Sequence, residues 1–344
     1  MSQILPQFWT DSPKFEFVRL QSEPTRYLTD YSPQDRPWDI HRAQAQQVEG
    51  LYQGTVYDQL AGRIRGCTGY LGFGWEVDPD TGEARLKLKL ARFCRVRHCP
   101  VCQWRRSLMW RARFLKVIPL IEARYPTSRW VLMTLTVRNC PLSELRDTLK
   151  HMNASWQRLL KRVEFDSNVQ GWIRTTEVTQ GRDGSAHPHF HVLMLMRPSY
   201  FTHNYVKQAR WAELWRECAR LDYTPVIDIH TVKARGGDSG ESPLRRAVME
   251  TLKYSVKPSD LTLSRDWLVE LTAQVYKLRF VASGGVLKDV LRETDESDED
   301  LMLLDGDGQS GDPVLLFEWR RQAKRYVEVM DKPITVAHPD LEAS

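Results

Sequence analysis

His187-Pro188-His189-Phe190-His191-Val192-Leu193-Met194-Leu195-Met196 sets two imidazoles two residues apart at the head of an apolar, β-prone run. Side chains alternate between the faces of a strand, so His189 and His191 point the same way. Imidazole is the commonest metal ligand among side chains, and an i, i+2 pair on a strand can grip an ion from one side. Upstream, Trp172-Ile173-Arg174-Thr175-Thr176-Glu177-Val178-Thr179 reads as a partner strand, and Gln180 to Ala186, rich in Gly and Asp, as the turn between them. A hairpin turning about Asp183 puts Glu177 opposite His189 on the same face. Two histidines and a carboxylate then share a surface with coordination positions left open. Strand histidines that only hydrogen-bond are the plainer alternative.

About sixty residues further on, Arg245-Arg246-Ala247-Val248-Met249-Glu250-Thr251-Leu252-Lys253-Tyr254-Ser255-Val256-Lys257-Pro258 reads as a helix closed by its proline. Glu250, Tyr254 and Lys257 fall at i, i+4 and i+7, one stripe of that helix. The phenol can carry a phosphoryl group, the carboxylate can activate a second nucleophile, and the ammonium can hold a phosphate. Glu-x-x-x-Tyr occurs by chance in many helices; beside a divalent-metal site it suits phosphodiester chemistry.

The chain has 344 residues and six cysteines, with a formal net charge of +5. Cys94, Cys99 and Cys102 are tightly spaced around Pro100, which suits a metal knuckle better than a disulfide framework. A closed zinc site needs a fourth ligand. Cys67 is the choice, because residues 68 to 93 read as a hairpin whose closure returns it beside Cys94, as in a zinc ribbon. His98 competes for that place, and reduced thiols packed without Zn²⁺ are the alternative to any metal. Cys140 and Cys218 read as buried thiols. From Arg92 to Lys116 there are eight Lys or Arg and no Asp or Glu, interleaved with Phe93, Trp104, Trp110 and Phe114. Arg105, Arg106 and Arg111 are therefore candidate DNA contacts. A helix whose aromatics face a core and whose arginines are solvated would carry the same pattern.

The fold expected is α+β. Strands at 130–137, 171–179, 189–196 and 225–232, with helices at 142–163 and 203–221, give β-α-β-β-α-β, the split βαβ or ferredoxin-like order, with an antiparallel sheet and the histidine strand central. The expected organisation is a polar, partly disordered lead-in at 1–50, a zinc-ribbon-like module with a basic helix at 51–125, and the split βαβ domain that carries the histidine and tyrosine motifs at 126–282. An acidic linker follows at 283–313, then a C-terminal helix and tail at 314–344. Glu293 to Asp312 holds nine acidic residues and no basic ones, which leaves about +14 on the rest of the chain, a balance suited to nucleic acid. No run is long enough for a membrane span and the first residues lack a secretory pattern, so the expectation is a cytoplasmic protein.

Three stretches together resemble the HUH endonucleases, and more closely the rolling-circle replication initiators of small plasmids with one tyrosine and a glutamate. They are Trp130-Val131-Leu132-Met133-Thr134-Leu135-Thr136-Val137-Arg138-Asn139, Pro188-His189-Phe190-His191-Val192-Leu193, and Glu250-Thr251-Leu252-Lys253-Tyr254-Ser255-Val256-Lys257. With the cysteine region, the likeness covers roughly Cys67 to Phe280. It implies the HUH nuclease fold and a catalytic Mg²⁺ or Mn²⁺ on His189, His191 and Glu177. It implies Tyr254 as the nucleophile that leaves a 3′-hydroxyl and a 5′-phosphotyrosine, and Glu250 as the group that activates water for termination. Lys253 and Lys257 are then the phosphate clamps, plasmid origin DNA the substrate, and a host helicase and polymerase the partners; self-association stays open. His187 departs from the commonest residue at its position and is an extra ligand, a supporting group or neither. A relaxase or transposase of the same superfamily shares the chemistry, but those transposases are shorter and relaxases carry the tyrosine near the N-terminus. A zinc-bearing repressor without catalysis is the other alternative.

Overall fold

Val192 to Met196 is apolar on both faces, a pattern that suits only a strand covered on both sides. The structure, a computed structural model, describes residues 25–78, 81–233, 242–253, 256–288, 298–302 and 315–329. In chain order its elements are α1 (Leu28–Tyr31), α2 (Arg36–Tyr52), α3 (Asp58–Arg65), β1 (Tyr70–Val77), β2 (Ala84–Ala91), α4 (Pro100–Arg124) and β3 (Arg129–Thr136). Next come α5 (Leu145–Leu159), α6 (Val163–Asp166), β4 (Val169–Gln180), β5 (Ala186–Met196), α7 (Gln208–Ala219), β6 (Ile227–Thr231) and α8 (Pro243–Thr251). Last are α9 (Pro258–Leu261), α10 (Arg265–Gln274), β7 (Val281–Gly285), α11 (Asp298–Met302), β8 (Leu315–Arg320) and β9 (Arg325–Glu328).

The larger sheet has the order β6-β3-β5-β4-β7, every neighbour antiparallel, with the histidine strand β5 in the middle. Its first four strands with α5 and α7 are the α+β split βαβ arrangement. Phe190, on the face away from the histidines, meets Trp156 of α5 and Trp215 of α7, at ring distances of 6.5 and 6.3 Å. Trp156 also packs edge-on to Trp172 and Phe165, at 5.0 and 5.5 Å. On the histidine face, α8 lies over β3, β4 and β5, and Phe114 of α4 meets Trp130 at 5.7 Å. The fifth strand, β7, was not legible in the sequence. It reaches β4 through Gly285, whose φ is +60° and where a Cβ would lie 2.2 Å from the Gln170 carbonyl oxygen.

The smaller sheet, β2-β1-β8-β9, corrects three expectations. Within the stretch 314–330, expected as a helix, residues 315–328 form the β8–β9 hairpin; Phe317 and Trp319 are buried with period two once β8 pairs with β1. Residues 36–50, placed in the polar lead-in, belong to α2. Its buried stripe is Trp38, Asp39, Arg42, Ala45, Val48, Glu49 and Tyr52, and the three charged members hide the helical period. Arg42 donates to the Arg65 carbonyl at 2.9 Å, and Glu49 accepts from Arg65 and Arg321 at 2.9 and 2.7 Å. Residues 1–24 and 330–344 lie outside the described part. Within the stretch read as an acidic linker unable to pack, α11 docks on α4. Leu301 and Met302 are buried there, and Arg113 pairs with Asp300 at 2.5 Å.

A fourth correction concerns the helix expected to run to Lys257. It stops at Thr251, whose hydroxyl bonds back to Ala247 O at 2.9 Å while its carbonyl accepts from Thr175 at 2.5 Å. The chain then returns to the sheet, where Val256 bridges Val178 in parallel. Tyr254 and Ser255 fall outside the described residues.

Trp156→Ala removes a fully buried indole with three aromatic neighbours, and is expected to cost about 3–5 kcal/mol of unfolding free energy in urea denaturation. Val56→Ala, at a side chain 86% exposed, should stay within about 0.5 kcal/mol.

Candidate functional site

The β4–β5 hairpin turns through Gly181 to Ser185, with Gly184 at φ +81° and Asp183 accepting from the Ser185 amide at 3.1 Å. This centres the turn on Asp183 and fixes the pairs Glu177↔His189 and Thr175↔His191. Glu177 Oε2 then lies 2.8 Å from Nε2 of both His189 and His191. The three ligand atoms lie within 4.8 Å of one another. A facial set around a six-coordinate ion with bonds near 2.1 Å would space neighbouring ligand atoms about 3 Å apart, so the trio fits a divalent cation with positions open on its outer side.

The outer nitrogens are also oriented. His189 Nδ1 faces the His187 carbonyl at 3.3 Å, and His191 Nδ1 faces Thr134 Oγ1 at 3.3 Å. Without a metal each Nε2 donates to Glu177; with one bound, protons held on the Nδ1 atoms would free both Nε2 lone pairs to ligate it. His187 itself supplies a carbonyl and is not in the ligand trio. Burial opposes ionisation of Glu177, which is 2% exposed, but hydrogen bonds from His189, His191 and Lys253 outweigh it. The carboxyl is held well below its usual range.

Glu250, near the end of α8, brings Oε1 to 4.0 Å from His191 Nδ1 and 2.7 Å from Lys253 Nζ. Lys253 also reaches Glu177 Oε2, at 2.9 Å. Lys257 is exposed and caps α9, so it does not share a helix with Glu250. The sequence reading missed two supports, Thr134 beneath His191 and the Thr175–Thr251 bond that pins α8. Thr134 was within reach of register reasoning, since it pairs with His191 across β3 and β5.

The second cluster joins Cys67, Cys94, Cys99 and Cys102. Closing the β1–β2 hairpin returns Cys67 to the Cys94 amide, 3.4 Å from its sulfur. The sulfurs are spaced 3.7 Å (Cys67–Cys102), 3.6 Å (Cys94–Cys102) and 3.8 Å (Cys99–Cys67). Those gaps are far too long for disulfides and match the edge of about 3.8 Å in a tetrahedron with Zn–S bonds of 2.3 Å. Hydrogen bonds among the four sulfurs, that from Cys102 foremost, pull the Cys94 thiol below its usual range, while the other three are pushed above theirs. His98 stands apart: its Nδ1 is 3.1 Å from both the Tyr52 hydroxyl and Thr272 Oγ1, and burial pushes it down to about 3. Cys140 and Cys218 are buried, outside both clusters.

Arg105 is not a surface contact for DNA. It is 7% exposed, its guanidinium lies 5.0 Å from the Trp38 ring, and its Nε donates to the Leu301 carbonyl at 2.7 Å. Burial pulls it down to about 10. Trp110 and Phe114 are buried because α4 turns its aromatic stripe to the core, and Phe93, ahead of α4, is buried beside Trp38. Arg106 and Arg111 are half-buried, and Arg111 donates to the Met249 carbonyl at 3.1 Å, tying α8 to α4. Among the described residues no helix is long and apolar enough to cross a membrane.

Residues 85–327 match the family model described as "Replication protein". A "Protein rep" of Bacillus amyloliquefaciens is 34% identical over 279 residues, covering 76% of this chain and 78% of that protein. A "Protein rep" of Streptococcus pneumoniae serotype 2 is 32% identical over 262 residues, 74% of this chain and 79% of its own. A "Replication protein" of Staphylococcus aureus is 30% identical over 223 residues, 60% of this chain and 94% of its own. No solved structure matches the chain significantly.

Purified protein is expected to carry about one tightly held Zn per chain by elemental analysis. Cys99→Ser should lose it and unfold more readily, since a closed thiolate site contributes directly to folding. Folded protein free of zinc would rule out the metal. At the other cluster, loss of an outer hydrogen-bond partner typically weakens metal binding roughly 10–100-fold. Thr134→Val, which removes a 3.3 Å contact, should fall near the lower end of that range for Mn²⁺, and His191→Ala should cost more than either limit.

Proposed function

The chain belongs to the family of replication proteins, and on that premise we propose that it initiates rolling-circle replication of a plasmid by nicking one strand at the origin and later rejoining it. The observation that carries this reading is the convergence of Glu177, His189 and His191 at the middle of the sheet, with Glu250 and Lys253 brought over the same face. In this reading Glu177, His189 and His191 hold Mg²⁺ or Mn²⁺. The donor set alone would also take Zn²⁺; the harder ions follow from the family likeness. A divalent cation held there polarises a phosphodiester and offsets charge developing on its oxygens.

Tyr254 is the nucleophile. Its oxygen bonds to phosphorus, the bond from phosphorus to the 3′ oxygen breaks, and the released 3′-hydroxyl primes synthesis by a host polymerase on a strand opened by a host helicase. A free phenol, with pKa near 10, attacks slowly at neutral pH, so it depends on nearby cations to favour phenolate. Lys253 and Lys257 supply positive charge on either side of Tyr254 in the chain. Glu250, half exposed beside His191, is placed to deprotonate the water that makes the terminating cut. Its pairing with Lys253 also supports the end of α8, and the two roles are separable by mutation.

The test is supercoiled plasmid bearing the candidate origin, incubated with protein and Mg²⁺. Wild type should yield nicked circles and a covalent protein–DNA adduct. Tyr254→Phe should lose the adduct yet keep origin binding, because only the hydroxyl is gone. Glu250→Ala should still nick, but accumulate adduct and multimeric single strands in place of unit circles. DNA left closed with Mg²⁺ and Mn²⁺ alike would favour a repressor. An adduct surviving in Tyr254→Phe would move the nucleophile to Tyr205 or Tyr276, which are 63% and 61% exposed.

A further inference from the structure

Three donors meet one oxygen of Glu177: Nε2 of His189 and His191 at 2.8 Å each, and Nζ of Lys253 at 2.9 Å. Lys253 reaches on to Glu250 Oε1 at 2.7 Å, so its ammonium sits between two carboxylates beside the imidazole pair. Glu177 is 2% exposed, and a buried carboxylate needs a cation close by. An ammonium and a divalent ion answer the same need at the same oxygen. They repel each other there, and surroundings this poor in water screen the repulsion weakly.

We infer that Lys253 is the built-in counter-ion of the Glu177–His189–His191 site, displaced from Glu177 when a divalent metal binds and then available to a phosphate of the DNA strand. The inference rests on the function proposed above, which takes those three residues as metal ligands. The local architecture permits the exchange. Thr175 clamps the Thr251 carbonyl at 2.5 Å, so the backbone just before Lys253 is anchored to β4. The ammonium rides on a flexible four-carbon stem and is 26% exposed, within reach of solvent and of a bound strand. Burial works against its charge, and the bonds to Glu250 and Glu177 more than restore it.

Displacement makes metal and DNA reciprocal ligands. A phosphate that draws Lys253 away from Glu177 strengthens metal binding, and bound metal strengthens the hold on DNA by the same factor. Lys253 acts through Glu177 and is in this respect a positioning residue. Removing its charge should tighten metal binding, whereas loss of a merely structural contact would weaken it or leave it unchanged.

The experiment measures Mn²⁺ binding to zinc-replete, full-length protein by electron paramagnetic resonance of the free ion, with and without a short single-stranded oligonucleotide. Wild type should bind Mn²⁺ more tightly when the oligonucleotide is present, within the roughly 5–150-fold range usual for coupled sites. Lys253→Met, which keeps the stem, should bind Mn²⁺ at least about 5-fold more tightly without DNA and lose most of the oligonucleotide's effect. Lys253→Gln serves as the second variant if the first melts early. Lys150→Met, whose ammonium pairs with Asp147 on α5 on the opposite face of the sheet, should match wild type. Lys253 variants that bind Mn²⁺ no more tightly than wild type overturn the displacement while leaving the proposed nicking function standing. Wild type whose Mn²⁺ binding is unaffected by His191→Ala overturns the ligand assignment, and the function built on it falls as well.

Discussion

Glu177 faces His189 across β4 and β5, and the site depends on that register. Side chains alternate along a strand, so a slip of one residue would send both histidines, or Glu177, to the face packed with tryptophans. The turn from Gly181 to Ser185 sets the register at one end. At the other, Phe190 locks it against Trp156 of α5 and Trp215 of α7, since a slip would take the ring out of both contacts. The apolar core and the candidate site thus occupy alternate residues of one strand, which is why a mostly apolar segment carries the two histidines.

What holds the rest of the site in place comes from outside this sheet. The four-cysteine cluster anchors the start of α4, and α4 in turn carries Arg111, which bonds the Met249 carbonyl in α8. Thr175 holds the end of α8 from the sheet side. Glu250 and Lys253 are therefore positioned through two routes, one from β4 and one from the cysteine module. A helix of nine residues has little stability of its own, and these tethers substitute for length. The order of the modules in the chain acquires a physical purpose, because the cysteine module braces the helix that covers the histidine face.

Buried charge recurs in this protein and follows one logic. Arg42, Glu49, Arg105 and Arg174 are each less than a tenth exposed. Arg105 lies beside the Trp38 and Trp104 rings and bonds a carbonyl; Arg174 lies 4.0 Å from the Phe190 ring and donates to Asn153 at 2.7 Å. A guanidinium tolerates this because its planar face stacks on aromatics while one nitrogen of its edge keeps a hydrogen bond, Nη2 in both Arg42 and Arg174. Such residues look like surface in a sequence. They are the reason α2 was read as lead-in and α4 as a DNA-facing helix.

The sequence by itself determined what depends on near neighbours. The strand periods, the turn about Asp183, the pairing of Glu177 with His189, and the hairpin that returns Cys67 to Cys94 all follow from alternation and short loops. The order β-α-β-β-α-β with β5 central followed from the same signals. Only the tertiary structure decided what depends on partners distant in the chain. The β8–β9 hairpin needs β1 to become a sheet, β7 needs the bare backbone of Gly285 against β4, and α11 needs α4 to bury Leu301 and Met302. The helix carrying Glu250 ends at Thr251 because Thr175 takes its last carbonyl, and no local propensity at 252–257 records that. Lys253, spaced in the sequence like a surface lysine, meets Glu177 because the chain after α8 turns back toward β4.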